Sequence, residues 1–326
     1  MNQFEFQAPV NPAPDPAALD RTLRRRLSRV GWGLLLYLVA VQVLGALLMM
    51  IPGVQDSIYL TLAVNEVVCY GLAPLALWLL IRPLPKGTSP GLKLSFWALG
   101  RTAIFCLGTA YLFNLLTTLI IMGMEALSGR STGNMLDSFV NSTPLWLSVV
   151  ITGIIAPVME ELIFRKLLLD RLRPFGDRAA ILISGVAFGL FHTNLYQFFY
   201  ATALGLVLGG VALKTGKIWH TMVLHAFLNL SSLAITQLTA LLPEPDFTIT
   251  GFRWEMLFYL PLTAVVYGSI VLTVVFFRRY AKTFRYAPPA PPVTDRQVFR
   301  CLLRSTGAWV CTVLVLAASV AVVFLV

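Results

Sequence analysis

Apolar and polar positions in this chain alternate on the length scale of a lipid bilayer. Mostly apolar runs fall at about 31–51, 58–81, 102–124, 145–164, 179–192, 197–213, 218–241, 255–277 and 307–326. A helix rises about 1.5 Å per residue, so about 20 apolar residues cross a hydrocarbon core of about 30 Å. The pattern therefore predicts an all-α, polytopic helical membrane protein with about nine transmembrane helices. The runs at 179–192 and 197–213 are short and share a tight turn. Residues 1–20 carry four prolines and no periodic apolar pattern, which predicts disorder. Pro288, Pro289, Pro291 and Pro292 mark a linker before the last helix. The predicted organisation is a basic N-terminal tail at 1–30, helices one to three at 31–144 and a four-helix unit at 145–241. An eighth helix follows at 242–280, then a Pro-rich linker at 281–306 and a final helix at 307–326.

Composition removes the soluble alternatives. The 326 residues are 57% hydrophobic and 12% charged, with a mean hydropathy of +0.78, outside the range of globular domains. A net charge of +10 is compatible with nucleic-acid binding, but the basic residues lie in alternate loops. Every Lys and Arg except Arg130 and Arg253 falls on loops of one parity. That is the positive-inside pattern, and it predicts a cell (inner or plasma) membrane protein with a cytoplasmic N-terminus. The predicted partner of the basic loops is the anionic bilayer surface, with no nucleic acid. Cys69, Cys106, Cys301 and Cys311 form no CxxC pair and read as buried hydrophobes. No small-residue cleavage site follows the first apolar run, so no cleavable signal peptide is predicted.

The chemistry concentrates in a small part of the chain. Glu160 and Glu161 end an apolar run, where ionisable groups point to function. Glu161 and Arg165 are four apart and share a helix face. Glu160 points about 100° away around the helix, and its i+4 neighbour is Phe164. One acid is thus predicted to be neutralised locally and the other to face something else. All three histidines follow, at 192, 220 and 225. Phe188 and His192 share a face, as do His225 and Asn229. His220 lies about 140° around the helix from His225 and is read as structural. Asn65-Glu66 is a further polar pair within the second run, read as a buried hydrogen-bonded acid or one near the outer interface. A carboxylate beside an imidazole can hold a water and take its proton, and a second imidazole with a carboxamide can donate to an oxyanion. The set suits hydrolysis.

Glu160-Glu161-x-x-x-Arg165, Phe188-x-x-x-His192 and His225-x-x-x-Asn229, in that order, resemble the three motifs of the CAAX protease and bacteriocin-processing (CPBP, or Abi) family. That family includes the type II CAAX prenyl endopeptidases. The resemblance covers about 145–240. It implies an intramembrane endopeptidase whose helices surround a cavity open to the cytosol, acting on a peptide or membrane-protein substrate. By the same resemblance, Glu160 and His192 activate water, His225 and Asn229 stabilise the oxyanion, and Glu161, Arg165 and Phe188 support them. No cofactor is expected. A zinc site from Glu160, His192 and His225 is geometrically conceivable, although no HExxH signature is present. Two other classes compete: a non-catalytic family member acting as a scaffold, regulator or immunity factor, and a proton-coupled transporter using Glu66 and Glu160. The absence of matching internal repeats argues against the transporter.

Overall fold

The computed structural model describes residues 15–130, 132, 142–242 and 257–325. Within them the chain forms ten helices: α1 Pro16–Met49, α2 Ile58–Ile81, α3 Phe96–Ser128, α4 Leu145–Phe175, α5 Asp177–Phe191, α6 Leu195–Thr215, α7 Ile218–Ala240, α8 Tyr259–Tyr280, α9 Asp295–Leu303 and α10 Thr306–Leu325. Eight of these described helices are long and apolar enough to cross a membrane, against nine predicted. The exception is α5. Its 15 residues span about 22 Å, less than the hydrocarbon core. The all-α polytopic membrane architecture stands. Large side chains such as Leu119, Val271 and Phe277 face outward, where lipid rather than water is the solvent.

Three boundaries differ from the sequence reading. The α1 helix begins at Pro16, with Asp15 capping the amides of Ala17 and Ala18, so the basic collar is helical rather than part of a tail. Pro at the first helical position and Asp as N-cap are the local cause. The α4 helix runs past Arg165 to Phe175. The stretch before α10 contains the amphipathic α9, capped by Thr294 through the amide of Gln297. Residues 1–14 of the predicted tail, Asp137, Arg253, the acidic turn at 243–246 and the start of the predicted eighth run lie outside the described residues.

The bundle is pulled together by close helix approaches. Gly31 of α1 faces Gly307 of α10 so tightly that a Cβ on Gly31 would lie 2.2 Å from the Gly307 carbonyl carbon. On the α5–α6 contact, a Cβ on Gly189 would meet the Thr202 hydroxyl at 2.0 Å. Small residues that let backbones approach are how helices associate when lipid supplies no hydrophobic contrast. At the basic end, the Arg173 guanidinium donates to the carbonyls of Ala212 at 3.2 Å and Leu213 at 3.4 Å, capping α6, and to Thr88 at 3.2 Å.

Two spanning helices are not α-helical throughout. In α2 the turn Val67–Leu72 is π-helical, and in α4 so are Ile151–Ile155 and Leu162–Leu169. Each of the first two ends two residues before a proline, with one alanine between. The Ala73 amide reaches five back to Val68, and the Ala156 amide five back to Ile151. Pro74 and Pro157 come next and have no N–H, so the carbonyls of Cys69 and Thr152 lack the donor this register would bring. Side chains from other helices supply it: the Tyr37 hydroxyl donates to Cys69 at 2.9 Å, and the Asn229 amide to Thr152 at 2.8 Å. In the third π-segment the Phe164 carbonyl accepts from Ser184 at 3.1 Å. An unpaired carbonyl in hydrocarbon is expensive, so these bonds lock α1, α5 and α7 onto the π-turns.

Candidate active site

Glu160, Glu161, Arg165, Phe188, His192 and His225 come together within the bundle. Glu161 is fully buried and divides its carboxylate between two partners. One oxygen lies 3.2 Å from Arg165 Nε, and the other accepts from His225 Nδ1 at 3.2 Å. The predicted Glu161–Arg165 pair is therefore present, and His225 joins it. The Arg165 guanidinium also sits over the Phe188 ring, 4.8 Å from its centroid. Phe188 is the hub of this wall. It makes edge contacts with His192 at 5.2 Å, His225 at 5.5 Å and Phe164 at 5.3 Å.

Glu160, on the adjacent face, is buried and has different neighbours. Its Oε1 accepts from the Tyr70 hydroxyl at 2.7 Å, and its Oε2 lies 3.8 Å from His225 Nε2. Tyr70 comes from the π-turn of α2. Sequence reading missed it, because one tyrosine 90 residues from its partner carries no motif. The available signals were its place four residues after Glu66 and four before Pro74.

His192 caps the C-terminal end of α5. Thr193 takes φ +47° and Asn194 caps α6 through the Tyr196 amide at 2.9 Å. A β-branched residue in the left-handed region is a strained way to turn, and it holds His192 at the mouth of the cluster. A carbonyl only accepts, so the 2.9 Å contact with Phe188 O puts a proton on His192 Nδ1. In the neutral ring Nε2 is then a lone-pair acceptor. The ring is half-buried and within electrostatic reach of Glu160 and His225. Asn229 follows His225 by one turn, with its amide on the Thr152 carbonyl. His220 stands apart, buried, its ring tilted against Trp219 with centroids 3.9 Å apart. Glu66 accepts from Asn65 Nδ2 at 3.4 Å and lies within electrostatic reach of Glu160.

Among the described residues no group of three or more His, Cys, Asp or Glu side chains is placed to hold a metal ion. His225 places Nδ1 3.2 Å from Glu161 and Nε2 3.8 Å from Glu160. An apolar cavity of about 220 Å³ lies elsewhere, between α1, α5, α9 and α10, lined by Leu27, Leu34, Val186, Leu302 and Trp309 among others.

Comparison with known proteins finds similarity over this part of the chain. Residues 142–231 match the family described as type II CAAX prenyl endopeptidase Rce1-like. The chain is similar to the Bacillus subtilis protein named "Putative membrane peptidase YdiL", 30% identical over 166 residues, covering 46% of this chain and 62% of that protein. It is also similar to the Lactococcus lactis protein named "UPF0177 protein YxdF", 27% identical over 140 residues, covering 43% of this chain and 75% of that protein. The chain thus spans less than two thirds of the first relative. No solved structure matches it. The family resemblance carried by the three motifs is borne out.

Proposed function

We propose that the protein is an intramembrane endopeptidase that hydrolyses a peptide bond near the inner leaflet, with Glu160 and His192 activating the attacking water. The observation that carries this reading is the unequal treatment of two adjacent buried acids. Glu161 is neutralised by Arg165 and His225, whereas Glu160 Oε2 is left 3.8 Å from an imidazole nitrogen. His192, at the half-buried edge, offers Nε2 to a water that Glu160 also holds. The water proton passes to this pair as oxygen attacks the carbonyl carbon, and the departing amine takes a proton when the C–N bond breaks. General-base assistance of this kind is worth about 10²–10⁴ in rate.

His225 faces both glutamates. With a hydrogen on each ring nitrogen, His225 holds Glu161 through Nδ1 and offers Nε2 to the oxyanion, and the second amide hydrogen of Asn229 completes the pair of donors. The substrate is a peptide or membrane protein, and the basic helix ends lie on the cytoplasmic side. The test is cleavage of a peptide library by the purified protein reconstituted in lipid. Wild type is expected to cleave, and Glu160→Ala and His192→Ala to lose nearly all activity; cleavage that survives both substitutions refutes the assignment. Persistence of wild-type activity after exhaustive chelation, with no stoichiometric zinc by elemental analysis, separates this mechanism from a metal-dependent one.

A further inference from the structure

The catalytic acid proposed above has a partner that lies outside the segment matched to the family. We infer that Tyr70 is a positioning residue for the reaction: its hydroxyl pins one oxygen of Glu160 and so aims the other at His225 and the attacking water. The inference rests on the peptidase reading and adds a residue to it.

The geometry is direct. Tyr70 Oη donates to Glu160 Oε1 at 2.7 Å, the short distance of a charge-assisted bond, while Oε2 lies toward His225 Nε2 at 3.8 Å. Glu160 has no helical cation of its own, since Arg165 is committed to Glu161. A carboxylate with a single bond of rotation left would otherwise be free to turn, and catalysis is sensitive to displacements of about 1 Å. Tyr70 is itself held. It sits in the π-turn Val67–Leu72, one residue after the Cys69 carbonyl that accepts from Tyr37. Both tyrosine rings lie against Phe191, at 5.4 Å for Tyr37 and 6.4 Å for Tyr70, and Phe191 in turn touches the His192 ring at 5.7 Å. One aromatic wall therefore sets the acid and the base together.

The test is Tyr70→Phe, which keeps the ring and removes the donor. Two quantities are read in lipid: the kinetics of peptide cleavage, and the antisymmetric carboxylate stretch of Glu160 by infrared difference against Glu160→Gln in the same background. The expected result is a kcat lowered about tenfold, the scale of one hydrogen bond to a charged group. KM stays within about twofold, and the carboxylate band is displaced. A purely structural role would not move that band. Incorporation of 3-fluorotyrosine at position 70 keeps shape and fold, and is expected to displace the band in the opposite sense to Tyr70→Phe. An unmoved band, or a kcat within about twofold of wild type, overturns the inference. If wild type cleaves nothing, the peptidase reading fails, and the infrared arm still decides whether Tyr70 holds Glu160.

Discussion

The two proline-ended π-turns of this protein, Val67–Leu72 before Pro74 in α2 and Ile151–Ile155 before Pro157 in α4, solve one problem with unlike side chains. In both, the missing proline N–H leaves a carbonyl that a distant helix satisfies. At Cys69 the donor is a phenol, Tyr37, held in an aromatic wall. At Thr152 it is a carboxamide, Asn229, one turn from His225. A phenol has one hydrogen to donate and is used up by the bond, whereas a carboxamide has two and keeps one in hand. The first turn is thus a structural lock that delivers Tyr70 to Glu160. The second is a lock whose key also belongs to the candidate active site. Only the α4 turn leads into buried charge.

That difference sets the sizes of the expected effects. Replacing Arg165 by Met strands the buried Glu161, and is expected to lower stability by about 3–5 kcal/mol in a reversible unfolding measurement. Asn229→Ala removes both an oxyanion donor and a carbonyl partner. It is expected to reduce kcat about 10²-fold and stability by about 1–3 kcal/mol. Tyr37→Phe should lower stability by about 1 kcal/mol with kcat changed only a few-fold; a loss of activity as large as that of Asn229→Ala would erase the distinction between the two turns. Smallest are the cycles with proline. Pro157→Ala or Pro74→Ala returns an N–H to the orphaned carbonyl, so the stability penalty of Asn229→Ala or Tyr37→Phe should shrink by about 1 kcal/mol in that background. Its kinetic penalty should shrink for neither Asn229→Ala nor any other active-site change.

The fold class and most of the site were legible because helical spacing is local. Glu161 with Arg165, Phe188 with His192 and His225 with Asn229 each needed only the four-residue period. Three things were not legible. The shortness of the run at 179–192 was legible, but that Thr193 turns it in a left-handed backbone was not, because a β-branched residue disfavours that region. The sharing of Glu161 between Arg165 and His225 depends on how α7 crosses α4, and crossing is a property of the packed bundle. Tyr70 reaches Glu160 because a π-turn rotates the residues around it, and neither the turn nor the reach has a motif. The prolines at 74 and 157 were the visible trace of both π-turns: each removes a donor in mid-span, and in a bilayer something must replace it.

The central claim is that Glu160 is the acid that works while Glu161 is the acid that is held. Glu160→Gln in the reconstituted protein tests it most directly, because the amide keeps the shape and the contact with Tyr70 while losing the base. Peptide cleavage is expected to fall at least about 10²-fold, with the melting temperature unchanged within a few degrees. Cleavage by Glu160→Gln at a rate near that of wild type would contradict the account.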